Sequence, residues 1–438
     1  MAWSCAEMQL RQDACSGIKG GSVMCRKSVF LVMAVLVALV ALFGLACGQT
    51  SSESTSAPTT SVPATSAQQG SSSVSTFKIA YQDGFTGPMS YDSALTDQGI
   101  QTALKQLGSQ VLGKPIEYLK ADNALDPVQA VDKARQFVET KGIHMHMGPI
   151  FAPAAAAVTD YLAKAGGIPE VAILGWSSEN MKTANNLFFV PQGFLSCGAY
   201  YFGKYVVEKL KYKTVSCLYL EDTAAYEIQA GFQKGFEEAG GKVLYCQYIP
   251  IDTMDFSAYL GSIPKADCTL YWVFGPAAVP FIQQYHDYNI GAPLIMPTPC
   301  NLTEGQMHDL GDIAAGIWGI EYYTPELKNE INAKFVEDFR AQWGGEYPQT
   351  QSSAGWIAVN LFAEAVKKTN GDVSPKALKE ALASISLNTP AGPYSFEKYG
   401  DAWVGKGNLY VMKTAMAADR MTWVPVETYE DVVFKDIR

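Results

Sequence analysis

From Phe77 onward, short apolar runs alternate with longer segments of helical periodicity, and this alternation limits the possible folds more than any other feature of the chain. Two strands joined through a helix lie parallel in a sheet, because the helix carries the chain back to the edge where the first strand began. The sequence therefore predicts a parallel sheet covered by helices. The strands of a first series are predicted at 77–82, 115–121, 143–148 and 170–175, with helices at 94–107, 127–140 and 153–165.

A second series of the same kind begins near Phe194. Its predicted helices are 197–209, 226–239, 256–263 and 280–288, and its predicted strands are 214–220, 242–249, 269–274 and 293–298. Later helices are predicted at 326–343, 353–369 and 375–384, and a last strand pair near 408–414 and 423–426. We therefore predict an α/β protein in which two Rossmann-like lobes with parallel central sheets lie side by side.

The composition agrees with two lobes. With 438 residues, of which 48% are hydrophobic and 17% are charged, the chain can bury a core in each lobe. The formal net charge is -10, and Lys and Arg form no basic stripe. Both features argue against nucleic acid as a partner.

The loops after the predicted strands are the expected binding loops. In an open α/β sheet a ligand binds outside the carboxyl ends of the strands, where loops meet the first turns of helices. Two such units that face each other form a cleft. The loops concerned are 83–94, 148–154, 175–181, 220–227, 273–279 and 297–301.

The amino-terminal region predicts export and attachment to a membrane. Arg26 and Lys27 precede an uncharged apolar run at 29–46, the pattern of an export signal. Ala46 directly before Cys47 resembles a bacterial lipoprotein signal, in which the cysteine is lipidated. The alternative is that the run of 18 residues stays in the bilayer as an uncleaved anchor.

A polar segment follows Cys47. Ser, Thr, Ala and Gly dominate residues 49–76, which bury too little apolar surface to offset the entropy of ordering them. We expect this segment to be a tether between the membrane and a globular body. Both alternatives for the apolar run place that body outside the cytoplasm.

The later cysteines and histidines do not predict a metal site. An odd number of cysteines is scattered beyond Cys47, without a CxxC spacing, which favours buried thiols or one disulfide. His144 and His146 are on the same face of a predicted strand, but a core strand is the simpler interpretation. The five cysteines are Cys197, Cys217, Cys246, Cys268 and Cys300.

The chain also does not have the motifs of the common enzyme classes. The stretch 400–407, GDAWVGKG, is close to a phosphate loop, but Gly407 stands where Ser or Thr must bind magnesium. Neither GxSxG nor GxGxxG occurs. We expect a binding protein without a cofactor rather than an enzyme.

Five segments in order carry a resemblance to a known family: AYQDGFTGPMSYDSALTDQGIQTAL, ADNALDPVQAVDKARQFV, GIHMHMGPIFAPAAAAV, YLEDTAAYEIQAGFQKGFEEAGGKV and IDTMDFSAYLGSI. They resemble the solute-binding proteins of branched-chain amino-acid-type ABC transporters, and the resemblance covers 77–438. It implies a type I periplasmic binding fold whose two lobes close on a small solute and then dock on an ABC transporter permease.

The resemblance also implies domain boundaries. The upstream segment and export signal would be 1–46, and Cys47 with its linker 47–76. The amino-terminal lobe would comprise 77–193 plus 324–395, and the carboxy-terminal lobe 194–323 plus 396–438. Three hinge crossings would fall near 192–197, 319–324 and 393–405.

Residues of the first lobe are expected to contact the solute by their match to the family. Near Ala152 the amino-acid binders have a serine that Ala152 cannot replace, so the backbone N–H groups of Ala152 and Ala154 remain to bind an oxygen. Ser177 and Ser178 match hydroxyl residues of the family, although they also fit caps of a following helix. Trp176 stands at a position that is usually small, and Tyr91 adds an aromatic ring.

Residues of the second lobe change the expected solute class. Tyr226 matches a tyrosine that faces the solute, and Phe274 stands where another tyrosine is usual. The glutamate that binds an ammonium would fall near Pro299, and an ammonium without a partner is costly to bury. An organic acid, amide or aromatic compound is therefore favoured over an amino acid, unless an acid of the cleft substitutes. The acids considered are Asp83, Glu179, Glu221 and Asp222.

A second interpretation has the same fold. A two-lobed protein can sense its ligand for a partner protein instead of delivering it to a permease. A stand-alone ligand-sensing receptor is therefore the alternative function.

Overall fold

A computed structural model describes residues 74–173, 184–190, 194–298 and 302–438. The predictions for Cys47, the apolar run 29–46 and most of the linker fall outside these residues. In the part of the chain that is described, no helix is both long enough and apolar enough to cross a membrane.

The first series of elements forms where it is predicted. Asp126 begins the second helix by accepting hydrogen bonds at Oδ1 from the N–H groups of Val128 (2.9 Å) and Gln129 (2.8 Å), and Pro127 fits the first turn because its missing N–H is not needed there. The strands are β1 (Phe77–Asp83), β2 (Gln110–Val111), β3 (Lys114–Asp122), β4 (Met145–Met147), β5 (Glu170–Ile173) and β6 (Leu187–Val190). The helices are α1 (Ser90–Gln106), α2 (Pro127–Arg135, continued by a π-helical turn at Gln136–Lys141) and α3 (Ala152–Lys164).

The second series follows the same order of strand and helix. Its strands are β7 (Thr214–Leu220), β8 (Lys242–Ile249), β9 (Cys268–Trp272), β10 (Leu294–Met296) and β11 (Trp318–Glu321). Its helices are α4 (Leu195–Glu208), α5 (Thr223–Glu238), α6 (Ser257–Leu260), α7 (Ala278–Asp287) and α8 (Glu304–Leu310). The last elements are α9 (Glu330–Gln342), α10 (Thr350–Lys368), α11 (Pro375–Leu382), β12 (Ser386–Thr389), β13 (Gly392–Tyr399), β14 (Ala402–Ala417) and β15 (Arg420–Val433).

The strands form a mostly parallel sheet in the order β2-β3-β1-β4-β5-β6-β14-β11-β10-β9-β7-β8. Strands β1, β3, β4, β5 and β6 are mutually parallel, and so are β7 to β11. We call β1–β6 the first half and β7–β11 the second half. Strand β14 joins them, since it pairs with β6 at Trp403 and antiparallel to β11 over Tyr410–Lys413. The predicted α/β architecture with parallel sheets is confirmed.

Helices from the last part of the chain return to the first half. Helices α9 and α10 pack against α1, and α11 packs against α10. The contact between α1 and α10 depends on two glycines: a Cβ on Gly99 would lie 1.9 Å from the Ser352 carbonyl oxygen, and one on Gly355 would lie 2.4 Å from that of Thr96. The two helix backbones therefore touch directly.

Several boundaries differ from the prediction. The helix predicted at 256–263 is only Ser257–Leu260, because Gly261 and Pro264 follow. The helix predicted from 326 begins at Glu330, where the Asn329 side chain accepts a hydrogen bond from Asn332 N–H (2.8 Å). The sequence analysis missed β2, β6, α8, β11, β12 and β13. Most of these are short: β2 has 2 residues, and β6, β11 and β12 have 4 each.

Candidate functional site

The candidate site is formed by the loops at the carboxyl ends of the parallel strands. The structure describes the loops after β1, β4, β7 and β9. Trp176, Ser177, Ser178 and Glu179 after β5 lie outside the described residues, and so does Pro299 after β10. Their predicted roles therefore stay predictions.

Asp83 holds two of these loops together. It is fully buried at the end of β1. Its Oδ1 accepts hydrogen bonds from the N–H groups of Gly84 (2.9 Å) and Ile150 (3.1 Å), and its Oδ2 accepts one from the Tyr81 hydroxyl (2.6 Å). Burial raises the pKa of Asp83 to about 6, although these hydrogen bonds oppose the rise. With these contacts Asp83 positions the loops, which argues against it as the partner of a solute ammonium.

The first turn of α3 offers backbone N–H groups. The N-cap residue, Phe151, makes no side-chain cap, and the first backbone bond that returns to it comes from Ala155 (2.9 Å). The N–H groups of Ala152 and Ala154 precede that bond and have no carbonyl within the helix. The Ala154 side chain is buried in an apolar cluster with Val158. Any contact of Ala154 with a solute would therefore come from its backbone, as the sequence indicates.

Tyr91 lies at the start of α1 with 53% of its surface exposed. Its hydroxyl accepts a hydrogen bond from Gln349 Nε2 (3.1 Å), and the adjacent Asp92 accepts one from Gln351 Nε2 (2.6 Å). Burial raises the pKa of Asp92. The starts of α1 and α10 are thus fixed to each other, with the Tyr91 ring open to solvent.

Tyr226 lies on α5 in the second half and is 41% exposed. Its ring centroid is 4.6 Å from that of Tyr248, which in turn stacks on Tyr219 at 5.5 Å. The Tyr226 hydroxyl donates a hydrogen bond to the Glu221 carboxylate. Burial, and then this bond, raise the pKa of Tyr226 to about 12. The tyrosine is therefore a neutral, firmly supported ring at the rim of the site.

Asp222 and the aromatic rings near it also have partners within the protein. Asp222 caps α5 by accepting a hydrogen bond from Ala225 N–H (2.7 Å) and accepts another from Trp272 Nε1 (3.3 Å). Phe274 is half-buried and lies 5.3 Å from the Trp272 ring, centroid to centroid. Gln306 Nε2 on α8 donates to the Gly275 carbonyl (2.8 Å), which ties the loop after β9 to α8.

Sequence reasoning missed a charged cluster around Arg420. Its guanidinium donates to the carboxylates of Glu304 and Glu326 and lies 3.5 Å from the centroid of the Tyr347 ring. Burial raises the pKa of Glu304, and hydrogen bonds from Thr422 and Arg420 oppose the rise. These residues come from four distant segments, so no local pattern in the sequence indicates the cluster.

A small pocket adjoins this cluster. Glu304 and Glu321 provide its acidic groups, and Gln349, which bonds Tyr91, lies on its wall. The lining residues are Leu302, Glu304, Glu321, Tyr323, Thr324, Pro325, Gln349, Thr350, Met412, Thr422 and Trp423.

His146 is buried on β4, and His144, directly before that strand, is half-buried. His144 Nδ1 accepts a hydrogen bond from Lys78 N–H (2.9 Å), and the Gln82 amide nitrogen lies 2.9 Å from His146 Nε2. Burial lowers the pKa of His144 to about 4 and that of His146 to about 3. Within the described ranges, no group of three or more His, Cys, Asp or Glu side chains could hold a metal ion. Cys197, Cys217, Cys246 and Cys268 are buried thiols, and Cys300 lies outside the described residues.

Comparison with known proteins gives one family. A family model described as "Periplasmic binding protein" matches residues 76–417. The chain is 24% identical over 350 residues to "Leu/Ile/Val-binding protein homolog 6" of Brucella melitensis, covering 78% of this chain and 88% of the relative. It is also 24% identical over 343 residues to the "Leucine-, isoleucine-, valine-, threonine-, and alanine-binding protein" of Pseudomonas aeruginosa, covering 76% of this chain and 88% of the relative.

Solved structures share the fold. An ABC transporter substrate-binding protein from Sphaerobacter thermophilus superposes with a TM-score of 0.77 at 27% identity, covering 82% of this chain and 99% of that chain. A solute-binding protein of an ABC transporter from Rhodopseudomonas palustris, in complex with 3,4-dihydroxybenzoic acid, gives a TM-score of 0.74 at 22% identity, covering 83% and 99%. Another solute-binding protein from R. palustris, in complex with benzoate, gives a TM-score of 0.70 at 22% identity. The match covers 83% of this chain and 99% of that chain.

Proposed function

The chain belongs to the periplasmic binding protein family of the branched-chain amino-acid type and has its type I fold, and from that premise we propose that it captures a small solute between two lobes and delivers it to an ABC transporter permease. The members matched here are solute-binding proteins rather than enzymes, and the family is extracytoplasmic.

The observation that carries the proposal is the extent of the family match. Residues 76–417 include both halves of the sheet and every described loop of the candidate site. The chain leaves the first half after β6 and returns to it after β11, which supports lobes of 77–193 plus 324–395 and 194–323 plus 396–438. In this proposal the solute lies between the lobes.

The proposed solute is a small organic acid with a flat or apolar body. Its carboxylate would bind the N–H groups of Ala152 and Ala154, because the start of a helix favours an anion. Tyr91, Tyr226 and Phe274 would contact the body of the solute. Structural neighbours that hold benzoate and 3,4-dihydroxybenzoic acid support an aromatic acid, and the amino-acid-binding relatives keep amino acids as the second class.

We also propose that the protein is held at the cell membrane through lipidated Cys47. The support is the sequence alone: an apolar run that ends in Ala46 and Cys47, followed by a polar tether. Incorporation of labelled fatty acid that is lost in Cys47→Ser would distinguish lipidation from an uncleaved anchor.

A calorimetric screen tests the function. The panel contains benzoate, hydroxybenzoates, aliphatic acids, amides and branched-chain amino acids. We expect at least one acid to bind, and Tyr226→Ala and Trp176→Ala each to weaken that binding by about 1 to 4 kcal/mol. The control is Tyr288→Ala, which removes a tyrosine of similar exposure (46%) at the end of α7. Equal loss in the control, or no loss in either variant, would remove these rings from the site.

A further inference from the structure

Arg420 contacts residues that are attached to different halves of the molecule. Its guanidinium binds one carboxylate at Glu304 and another at Glu326, and the exposed side-chain fractions of the three groups are 16%, 24% and 20%. A guanidinium can hold two carboxylates at once because its N–H donors form a planar fork.

Glu304 belongs to the second half. It is the first residue of α8, which Thr303 caps, and α8 packs against β15, the strand that begins with Arg420. Thr422 on the same strand donates a hydrogen bond to Glu304 Oε1 (2.7 Å). The pair of Arg420 with Glu304 therefore lies within one rigid part of the protein.

Glu326 is attached to the first half through α9. The carbonyl oxygens of Pro325 and Leu327, on either side of it, accept hydrogen bonds from Asn332 Nδ2 (3.0 and 2.8 Å). Asn332 is on α9, and α9 packs against α1 of the first half. The pair of Arg420 with Glu326 therefore joins the two halves.

Tyr347 provides a second contact across the same junction. It follows α9, and Arg340 of α9 also lies over its ring, 4.2 Å from the centroid. The Arg420 guanidinium lies over this ring at 3.5 Å. Cation–π contacts of this kind stabilise more strongly the further they are desolvated.

We propose that Arg420 is a clamp across the hinge: it fixes the angle between the halves in the structure seen here and so sets the free energy needed to change that angle. Rotation of the halves would change the contacts of Arg420 with Glu326 and Tyr347, while its pair with Glu304 would move with it. This inference rests on the proposed function in one respect: the change of angle between the halves accompanies solute binding.

The two carboxylates provide a matched pair of variants. Glu326→Gln removes the ion pair between halves, and Glu304→Gln removes the pair within one half, with the same chemical change at the same guanidinium. In the full chain, spin-labelled noncanonical residues replace two exposed side chains, Gln129 on α2 and Lys234 on α5. Double electron–electron resonance then measures the distance between the two labels without solute.

We expect Glu326→Gln and Arg420→Gln to shift or broaden the distance distribution by more than about 2 Å, and Glu304→Gln to leave it as in the wild type. Raising the salt from about 0.05 to about 1 M should shift the wild type in the same direction, but not Glu326→Gln, because salt screens partly exposed pairs. Lys413 lies on β14 of the same hairpin as Arg420, with its cation over the Trp318 ring of β11. Lys413→Gln removes that cation and should have no effect.

Two results would overturn the clamp: equal distributions in wild type, Arg420→Gln and Glu326→Gln, or an equal shift in Glu304→Gln. If Arg420→Gln does not fold, Glu326→Gln still decides. The measurement needs no solute, so its failure is separate from that of solute binding. If a solute is found, Glu326→Gln should change its Kd by about fivefold or more, and Glu304→Gln should not.

Discussion

At the scale of single residues, polar groups position the loops of the candidate site. Asp83 is the clearest case, because it accepts hydrogen bonds from two loops and from Tyr81 while fully buried. Burial raises the pKa of this carboxyl, and the sequence does not show that burial. The same Asp in an exposed loop would titrate near its ordinary pKa. Its titration therefore tests the local geometry directly.

We predict the pH dependence of Asp83→Asn from this burial. The folded-state pKa of Asp83, about 6, is above its ordinary value of 3.8. The favourable contribution of Asp83 to the free energy of unfolding is therefore fully present below the ordinary pKa, and it is lost as the pH rises through about 6. The amide oxygen of Asn can still accept the hydrogen bonds from Gly84 and Ile150. The amide does not ionise in this pH range, so Asp83→Asn should not show this loss. Relative to wild type, its unfolding free energy should rise by on the order of 3 kcal/mol between about pH 4 and pH 7.

Asp122→Asn is the control with the opposite sign. Burial raises the pKa of Asp122, but hydrogen bonds from Ala124, Thr86 and Phe85 outweigh it and hold the pKa below 3.8. The contribution of the Asp122 carboxylate to the free energy of unfolding is present above the ordinary pKa and is lost as the pH falls. Urea unfolding across the pH range measures both variants, and parallel curves for Asp83→Asn and wild type would contradict the buried carboxylate.

At the scale of elements, helix contacts through glycine fix the layers over the sheet. We predict that Gly99→Ala lowers the unfolding free energy by about 1 to 3 kcal/mol, because the new methyl group would overlap the Ser352 carbonyl and push α1 from α10. Gly305→Ala on α8 is the control, since its nearest neighbour, Thr303 Oγ1, is 3.9 Å away. It should be neutral or slightly stabilising through helix propensity. Equal stability of the two variants would contradict the close contact.

Elements were predictable where the signal is local. Strand β7 and strand β8 match their predicted ranges, 214–220 and 242–249, because long β-branched and aromatic runs indicate strands without help from neighbours. Strands β12 and β13 were missed, since they pair with each other and with β14 and depend on that partner. The pattern also underestimated the length of β14 and β15, which were predicted only near 408–414 and 423–426.

The site was predictable in part for the same reason. Tyr226 and Ala152, which match a family motif, lie at the edges of the loops after β7 and β4. Their contact with a solute stays a prediction. Arg420, Glu304, Glu326 and Tyr347 come together only through the hairpin of β14 and β15. Contacts between distant segments leave no regular spacing of residues in the sequence, so only the structure reveals them.

At the scale of the whole molecule, two similar halves of one sheet meet at β14, and the described loops of the candidate site lie at the carboxyl ends of their strands. Two-lobed binding proteins commonly close around their ligand by a hinge motion, and the proposed function includes such a change of angle between the halves. Arg420 would set the free energy of that change, and the first turn of α3 and the Tyr226 ring would supply contacts from opposite sides.

The most direct test of this account is small-angle X-ray scattering of the chain, with and without the solute that calorimetry identifies. We predict that saturating solute lowers the radius of gyration, and that the solute is recovered chemically unchanged. A scattering curve that stays the same at full occupancy, or a solute that is converted to product, would contradict it.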